Sequence, residues 1–249
     1  MVDTHCHLDL CEPPAAELIE RAEAAGVTRL ATVGTGPDSI ERSLAAAGEH
    51  ERVVAIVGRH PNFAAGFADA DARLIERAAA DPAVRAIGET GLDYYRDGAP
   101  RADQRRAFEA QIELAAELSL PLVVHTREAE EDTFALLAAL ADGITIVLHC
   151  FSAPDRLEQC VERGYMCSFA GNVTYPKALE LQDAARRVPD ELLLVETDSP
   201  YLAPQQVRGK RNEPANVRHT AARVAELRGT SYEQLDALVE RNAARVFRW

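Results

Sequence analysis

Lysine is almost missing from this chain. Lys177 and Lys210 are the only two among 27 basic residues, and the rest are arginine. Cysteine is scarce too: five residues, an odd number, with no C-x-x-C pair. That excludes a disulfide framework and reads as the reduced thiols of a cytosolic chain. No apolar run approaches the roughly 18 residues that would cross a bilayer, so no membrane partner is expected. The opening Met1-Val2-Asp3-Thr4-His5 has neither a basic region nor a long apolar one, which makes a cytoplasmic location the expectation. Positive charge is short overall. A net charge of −13 argues against a tight, non-specific grip on long duplexes, yet leaves room for an enzyme whose bound metals bring positive charge locally. No linker rich in Gly, Ser or Pro and no low-complexity tract divides the chain, so 1–249 reads as a single domain.

What is present is a large apolar fraction, 47% of 249 residues, which excludes disorder. Short β-branched runs at 1–5, 27–33, 53–57, 84–88, 120–124, 144–148, 165–170 and 192–196 read as strands. Between them lie Ala-, Leu- and Glu-rich stretches with helical faces. Examples are Leu18, Ile19, Ala22 and Ala25; Phe108, Ile112, Ala115 and Leu118; and Phe134, Leu137, Leu140 and Ala141. Pro14, Pro37, Pro100, Pro154 and Pro176 mark helix starts; Gly26 and Gly164 mark helix ends. Eight strands alternating with helices over this length predict an α/β fold, a (β/α)8 TIM barrel. Two C-terminal helices, near 215–228 and 231–246, follow a loop. An open doubly wound sheet is the rival topology.

In such a barrel the chemistry sits at the C-terminal ends of the strands. Five of the seven histidines stand there: His5, His7, His60, His125 and His149. His5 and His7 are two apart on a strand and point to one face, leaving Cys6 turned toward the helices. Glu89 ends strand 4 and Asp198 follows strand 8. Imidazoles with carboxylates suit zinc, manganese or iron, and oxygen-richer sets suit magnesium. Six groups, namely His5, His7, Glu89, His125, His149 and Asp198, are too many for one four-coordinate ion. They suit two divalent ions sharing a ligand. No strand ends in lysine, so a carbamylated lysine cannot bridge the ions, and Glu89 is the expected bridge.

The residues Asp3-Thr4-His5-Cys6-His7-Leu8-Asp9, Gly58-Arg59-His60-Pro61, Gly88-Glu89-Thr90-Gly91-Leu92-Asp93-Tyr94, His125-Thr126-Arg127, His149-Cys150-Phe151, Glu196-Thr197-Asp198-Ser199-Pro200-Tyr201-Leu202 and Arg208-Gly209-Lys210-Arg211-Asn212-Glu213-Pro214 run in order along essentially the whole chain. In this series the chain resembles the TatD family of metal-dependent deoxyribonucleases, within the amidohydrolase-like barrels. The resemblance implies that His5, His7 and Asp198 bind one metal, His125 and His149 the second, and Glu89 both. It implies that His60 sits over the site and holds a phosphate. It also implies 3′→5′ exonuclease cleavage of DNA, preferably single-stranded, with magnesium or manganese; zinc stays possible. Arg59 departs from the small or apolar residue of many relatives, and reads either as a phosphate contact or as an outward salt-bridge partner.

Two ions about 3.5–4 Å apart suit phosphodiester hydrolysis. Asp198 is the expected general base, with Glu89 and His60 completing the catalytic set, and Glu196 lies deeper, orienting a ligand. Tyr94 and Tyr95 either stack on bases or pack in their loop, and Arg127, Arg208, Lys210 and Arg211 either contact phosphates or form an ordinary solvated charge run; Phe151 either packs or stacks. The expected partner is DNA with single-stranded or 3′ ends, with no obligate protein partner and a monomeric chain. Two other functions compete. One is a metal-dependent amide or ester hydrolase, such as an aminoacyl-tRNA deacylase. The other is a metal-binding interaction protein without catalysis.

Overall fold

The computed structural model describes residues 1–96 and 98–249. Eight parallel strands lie in the order of the sequence: β1 (Val2–Cys6), β2 (Arg29–Gly34), β3 (Val53–Val57), β4 (Val84–Asp93), β5 (Leu122–Arg127), β6 (Ile146–Leu148), β7 (Met166–Phe169) and β8 (Leu193–Val195). Helices α1 (Ala15–Ala24), α2 (Pro37–Glu49), α3 (Asp69–Ala79), α4 (Arg101–Leu118), α5 (Glu130–Leu140), α6 (Leu157–Arg163) and α7 (Leu179–Arg187) alternate with them. Helices α8 (Val217–Arg228) and α9 (Tyr232–Phe247) end the chain. This is the TIM barrel with C-terminal helices that the strand and helix spacing predicts.

The strands are apolar on both faces because both are covered. Every residue of β3 is buried, as is every residue of β8. The helices bury one stripe each: Leu18, Ile19 and Ala22 on α1, and Phe108, Ile112 and Ala115 on α4. Leu118 and Leu140, expected on such stripes, are instead 38% and 42% exposed, because each is the last residue of its helix.

The ring closes between β8 and β1 without a regular ladder. A single bridge, Cys6 to Ser199, stands there. His7 N donates to Ser199 O (2.8 Å) and Asp198 N to His5 O (2.9 Å). Deeper, the buried Asp3 carboxylate accepts the Thr197 N–H (2.8 Å). Helix α9 braces the base of this seam: Asn242 donates to Leu193 O (2.9 Å), and Asp236 meets the amino terminus (2.8 Å).

Strand β4 runs five residues beyond the predicted 84–88. Its register against β5 slips between Gly88 and Thr90, so Glu89 is the extra residue of a bulge, and pairing continues through Asp93 opposite Arg127. Glycine makes this possible. Gly88 and Gly91 both have φ of +139°, and a Cβ at Gly91 would overlap the His125 carbonyl oxygen. Two buried amides of α4 hold the strand ends from outside. Gln104 accepts from Asp93 N (2.8 Å), and Gln111 accepts from Arg59 N (2.7 Å) while donating to Thr90 Oγ1 (2.7 Å).

Candidate metal centre

Glu89 stands at the middle of the mouth, 2% exposed, and its two oxygens face different partners. Around Oε2 lie His5 Nε2 (3.4 Å) and His7 Nε2 (3.6 Å), both from β1 and its end. Asp198 Oδ1 completes that side, 3.6 Å from His7 Nε2 and 3.9 Å from His5 Nε2. Around Oε1 lie His125 Nδ1 (2.9 Å), His149 Nε2 (2.9 Å) and His60 Nε2 (3.3 Å). Donor atoms of His5, His7 and Glu89, and again of His60, Glu89 and His125, fall within 4.8 Å of one another. One carboxylate oxygen cannot accept three imidazole hydrogens well. Lone pairs pointed at a shared cation satisfy such crowding.

The outer ring nitrogens decide which lone pairs point inward. His149 gives its Nδ1 hydrogen to Glu196 Oε1 (3.1 Å), which also accepts Cys150 N (2.7 Å). His7 gives its Nδ1 hydrogen to the Val33 carbonyl (3.3 Å). His125 turns Nε2 to Asp93 Oδ2 (3.3 Å). With a cation in place of the inner ring protons, His149 and His7 would turn lone pairs toward Glu89, the arrangement of an oriented metal-binding histidine. His60 is the reverse. Its Nδ1 accepts the Asn62 N–H (3.0 Å), so the neutral ring carries its hydrogen on Nε2 and offers a donor to the mouth. His5 lies flat on His149, ring centroids 3.9 Å apart, with its Nδ1 buried and unpartnered among the described residues.

Charge follows from this packing. Burial opposes ionisation of Glu89, but the His149 charge and hydrogen bonds from His125 and His149 hold it well below the usual carboxylate range. Burial likewise works against His149, yet the charges of Glu89 and Glu196 lift it well above an ordinary histidine. His7 and His125 are raised against burial by their bonds to Asp198 and Asp93 respectively. Asp198 is lowered against burial, chiefly by His7. His5 and His60 are pulled down by burial and stay neutral more readily.

The structure brings together His5, His7, His60, Glu89, His125, His149 and Asp198. Asp198 gets there by a left-handed turn (φ 53°) beyond the end of β8, not by strand alternation. The expected substrate contacts divide. Arg127 lies over the Tyr95 ring, its guanidinium carbon 3.9 Å from the centroid, and Tyr95 is 57% exposed. Lys210 is exposed in the loop after β8. The Tyr94 hydroxyl bonds Asp132 (2.6 Å), and Arg101 lies over one face of its ring at 3.9 Å. It lines a cavity with Glu128, Glu130, Glu131 and Asp155, a wall of the wrong sign for phosphate. Arg211 is engaged by Glu12 (2.9 Å), and Arg208 covers Tyr175 (4.3 Å). Arg59 is the outward partner of Asp71, and Phe151 packs on Phe169 (5.6 Å). Sequence reasoning gave no role to Asp93, which besides facing His125 accepts from Asn62 Nδ2 (2.9 Å), Tyr95 N (3.0 Å) and Arg96 N (2.8 Å). Asp93 lies two such two-residue steps after Glu89, the step that pairs His5 with His7, a signal available in the sequence.

Comparison with known proteins bears on the family and the fold. The family described as "TatD related DNase" matches residues 2–248. A protein of Bacillus subtilis called an uncharacterized metal-dependent hydrolase, YabD, is 36% identical, covering 100% of this chain and 99% of its own. One of Dickeya dadantii, called the 3′-5′ ssDNA/RNA exonuclease TatD, is 37% identical over 93% of this chain and 91% of its own. The crystal structure of YJJV, a TatD homologue from Escherichia coli, superposes with a TM-score of 0.93 at 27% identity, covering 100% of this chain and 98% of that one. With the family match running from end to end over a histidine–carboxylate barrel mouth, the chain belongs to the TatD family of metal-dependent hydrolases.

Proposed function

We propose that the chain is a two-metal phosphodiesterase, a 3′→5′ exonuclease acting on single-stranded DNA ends. The observation that carries this reading is the division of ligands across Glu89. His5, His7 and Asp198, gathered on one side of Glu89, would hold one divalent ion, His125 and His149 on the other side would hold a second, and Glu89 would be shared by both. Magnesium or manganese serves catalysis, and the imidazole-rich set also accepts zinc. Bound cations supply Lewis acidity toward a phosphoryl oxygen and lower the pKa of water.

The residues of the chain do the rest. Asp198 is held ionised beside His7 and is the general base that takes a proton from the attacking water. His60 offers an N–H from Nε2 to a non-bridging phosphate oxygen while staying neutral. Glu196 fixes the His149 ring, and Asp93 fixes His125. Arg127 and Lys210 contact phosphates. The full ligand set comes from one chain, in keeping with a monomer working as one domain. Its five free thiols, three of them buried, suit a reducing compartment such as the cytoplasm. The exonuclease name carried by the Dickeya relative supports the substrate class and widens it to RNA.

The test is a gel of 5′-labelled single-stranded DNA incubated with magnesium, with manganese and with chelator. A metal-dependent ladder shortening from the 3′ end is expected. An intact strand in all three, with metal bound, moves the assignment to hydrolysis of an amide or ester carbonyl.

A further inference from the structure

Among the described residues, three phenylalanine or tyrosine side chains are exposed: Phe63 (59%), Tyr95 (57%) and Tyr201 (50%). The other exposed large hydrophobics are aliphatic, and of these Leu118, Leu140, Val161 and Leu179 lie on the outer helices. All three aromatics follow strand C-termini, on the loops after β3, β4 and β8. They therefore stand around the mouth. Their neighbours place them on both sides of Glu89. The Phe63 ring lies 5.8 Å from that of His60, which faces Oε1. The Tyr201 ring lies 6.1 Å from that of His7, which faces Oε2.

These rings are mounted on a stiff frame. Asn62, next to Phe63, donates to Asp93 (2.9 Å), and Asp93 in turn accepts Tyr95 N (3.0 Å). The Arg127 guanidinium backs the Tyr95 ring (3.9 Å), placing a cation beside it. At the other side, Asn212 donates to the Tyr201 carbonyl (2.7 Å), and Tyr201 N donates to Asp198 O (2.8 Å). Rigid aromatic faces left in water beside a site built for charge are expensive unless a flat apolar partner covers them. Unpaired nucleobases are such partners, and paired ones are not, since their faces are taken by the stack.

We infer that Phe63 and Tyr201 stack on the two nucleobases flanking the scissile phosphodiester, with Tyr95 backed by Arg127 as a third stacking position, and that this clamp selects unpaired strand ends. The inference rests on the phosphodiesterase reading and names what that reading lacks, the origin of single-strand preference. Stacking on one aromatic side chain is worth about 1–3 kcal/mol per base, or about 5- to 150-fold in affinity.

The test uses the full-length protein and single-stranded oligonucleotides whose last nucleotides carry bases or are abasic at chosen positions. Binding is read by fluorescence anisotropy in chelator, and turnover with manganese. Wild type should bind the base-bearing end about tenfold tighter per base. Phe63→Ala and Tyr201→Ala should each lose that factor and become blind to one abasic position. Phe63→Tyr and Tyr201→Phe, which keep a ring, should restore it, and Leu179→Ala on α7 serves as the control. If wild type binds abasic and base-bearing ends equally, or if alanine and abasic losses simply add, the rings do not meet bases and the clamp is overturned, whatever the turnover. If wild type shows the base preference in binding but hydrolyses no oligonucleotide with either metal, the clamp stands and the phosphodiesterase reading falls.

Discussion

Replacing Asp198 by asparagine keeps the side-chain size and the backbone bond to the His5 carbonyl, but removes the charge that faces His7. The expected outcome is a loss of about 10²- to 10⁴-fold in kcat, the range for a positioned proton acceptor, with an unchanged far-UV spectrum. Near-normal turnover would assign the base elsewhere. On the proposed reading, protons and metal ions compete for the same nitrogens. His7, His125 and His149 are each raised above an ordinary histidine by their carboxylate neighbours, so they hold protons into the neutral range when no ion is bound. Lowering the pH from about 8 to about 6 should therefore weaken metal binding, with release of protons on each titration. Calorimetry in two buffers of different ionisation enthalpy reads this directly. A pH-independent affinity would mean that these imidazoles are not the ligands.

The bulge in β4 is the element on which the site hangs. Glu89 reaches the centre because Gly88 and Gly91 let β5 approach the strand on either side of it. Gly91→Ala places a Cβ on the His125 carbonyl at a φ that side chains avoid, displacing at once the strand that carries His125. A destabilisation of at least about 3 kcal/mol is expected, seen as a fall of about 6–12 °C in Tm for a chain of this size. A melt within a degree or two of wild type would show that β4 and β5 can separate there without cost. The seam between β8 and β1 is the second element with a purpose. Side chains and single bridges close it in place of a ladder, and the same stretch carries His5, His7 and Asp198.

At the scale of the molecule, the acidic body limits how a polyanion is held. The net charge is −13, and Glu128, Glu130, Glu131 and Asp155 wall a cavity of about 380 Å³ beside Tyr94. Two or three cationic contacts, Arg127 and Lys210 among them, should give a salt slope of only about −1.4 to −2.1 for single-stranded DNA. Anisotropy from 50 to 200 mM salt measures it. A slope several times steeper would demand a longer phosphate track than this surface provides.

Much of this was legible in the chain itself. The eight-fold repeat follows from period-two runs alternating with period-3.6 stripes, and these patterns depend only on neighbours near in sequence. The histidines at strand ends were legible for the same reason, since a barrel gathers every C-terminal strand end at one mouth. Other features were not legible. Nothing local marks Glu89 as a bulged residue inside a ten-residue strand, because the bulge exists only against the register of β5. Nothing local frees Tyr95 while engaging Tyr94, because Asp132 and Arg101 arrive from later elements. The same holds for the tautomers. The carbonyl of Val33 and the carboxylate of Glu196 orient His7 and His149, whereas the Asn62 amide turns His60 into a donor. The sequence by itself determined the barrel, its functional end and its inventory of candidate ligands, because these rest on periodicity and residue type. The tertiary structure alone decided which nitrogen faces inward, which oxygen of Glu89 serves which side, and which rings stay uncovered. Those properties are set by distances between atoms far apart along the chain.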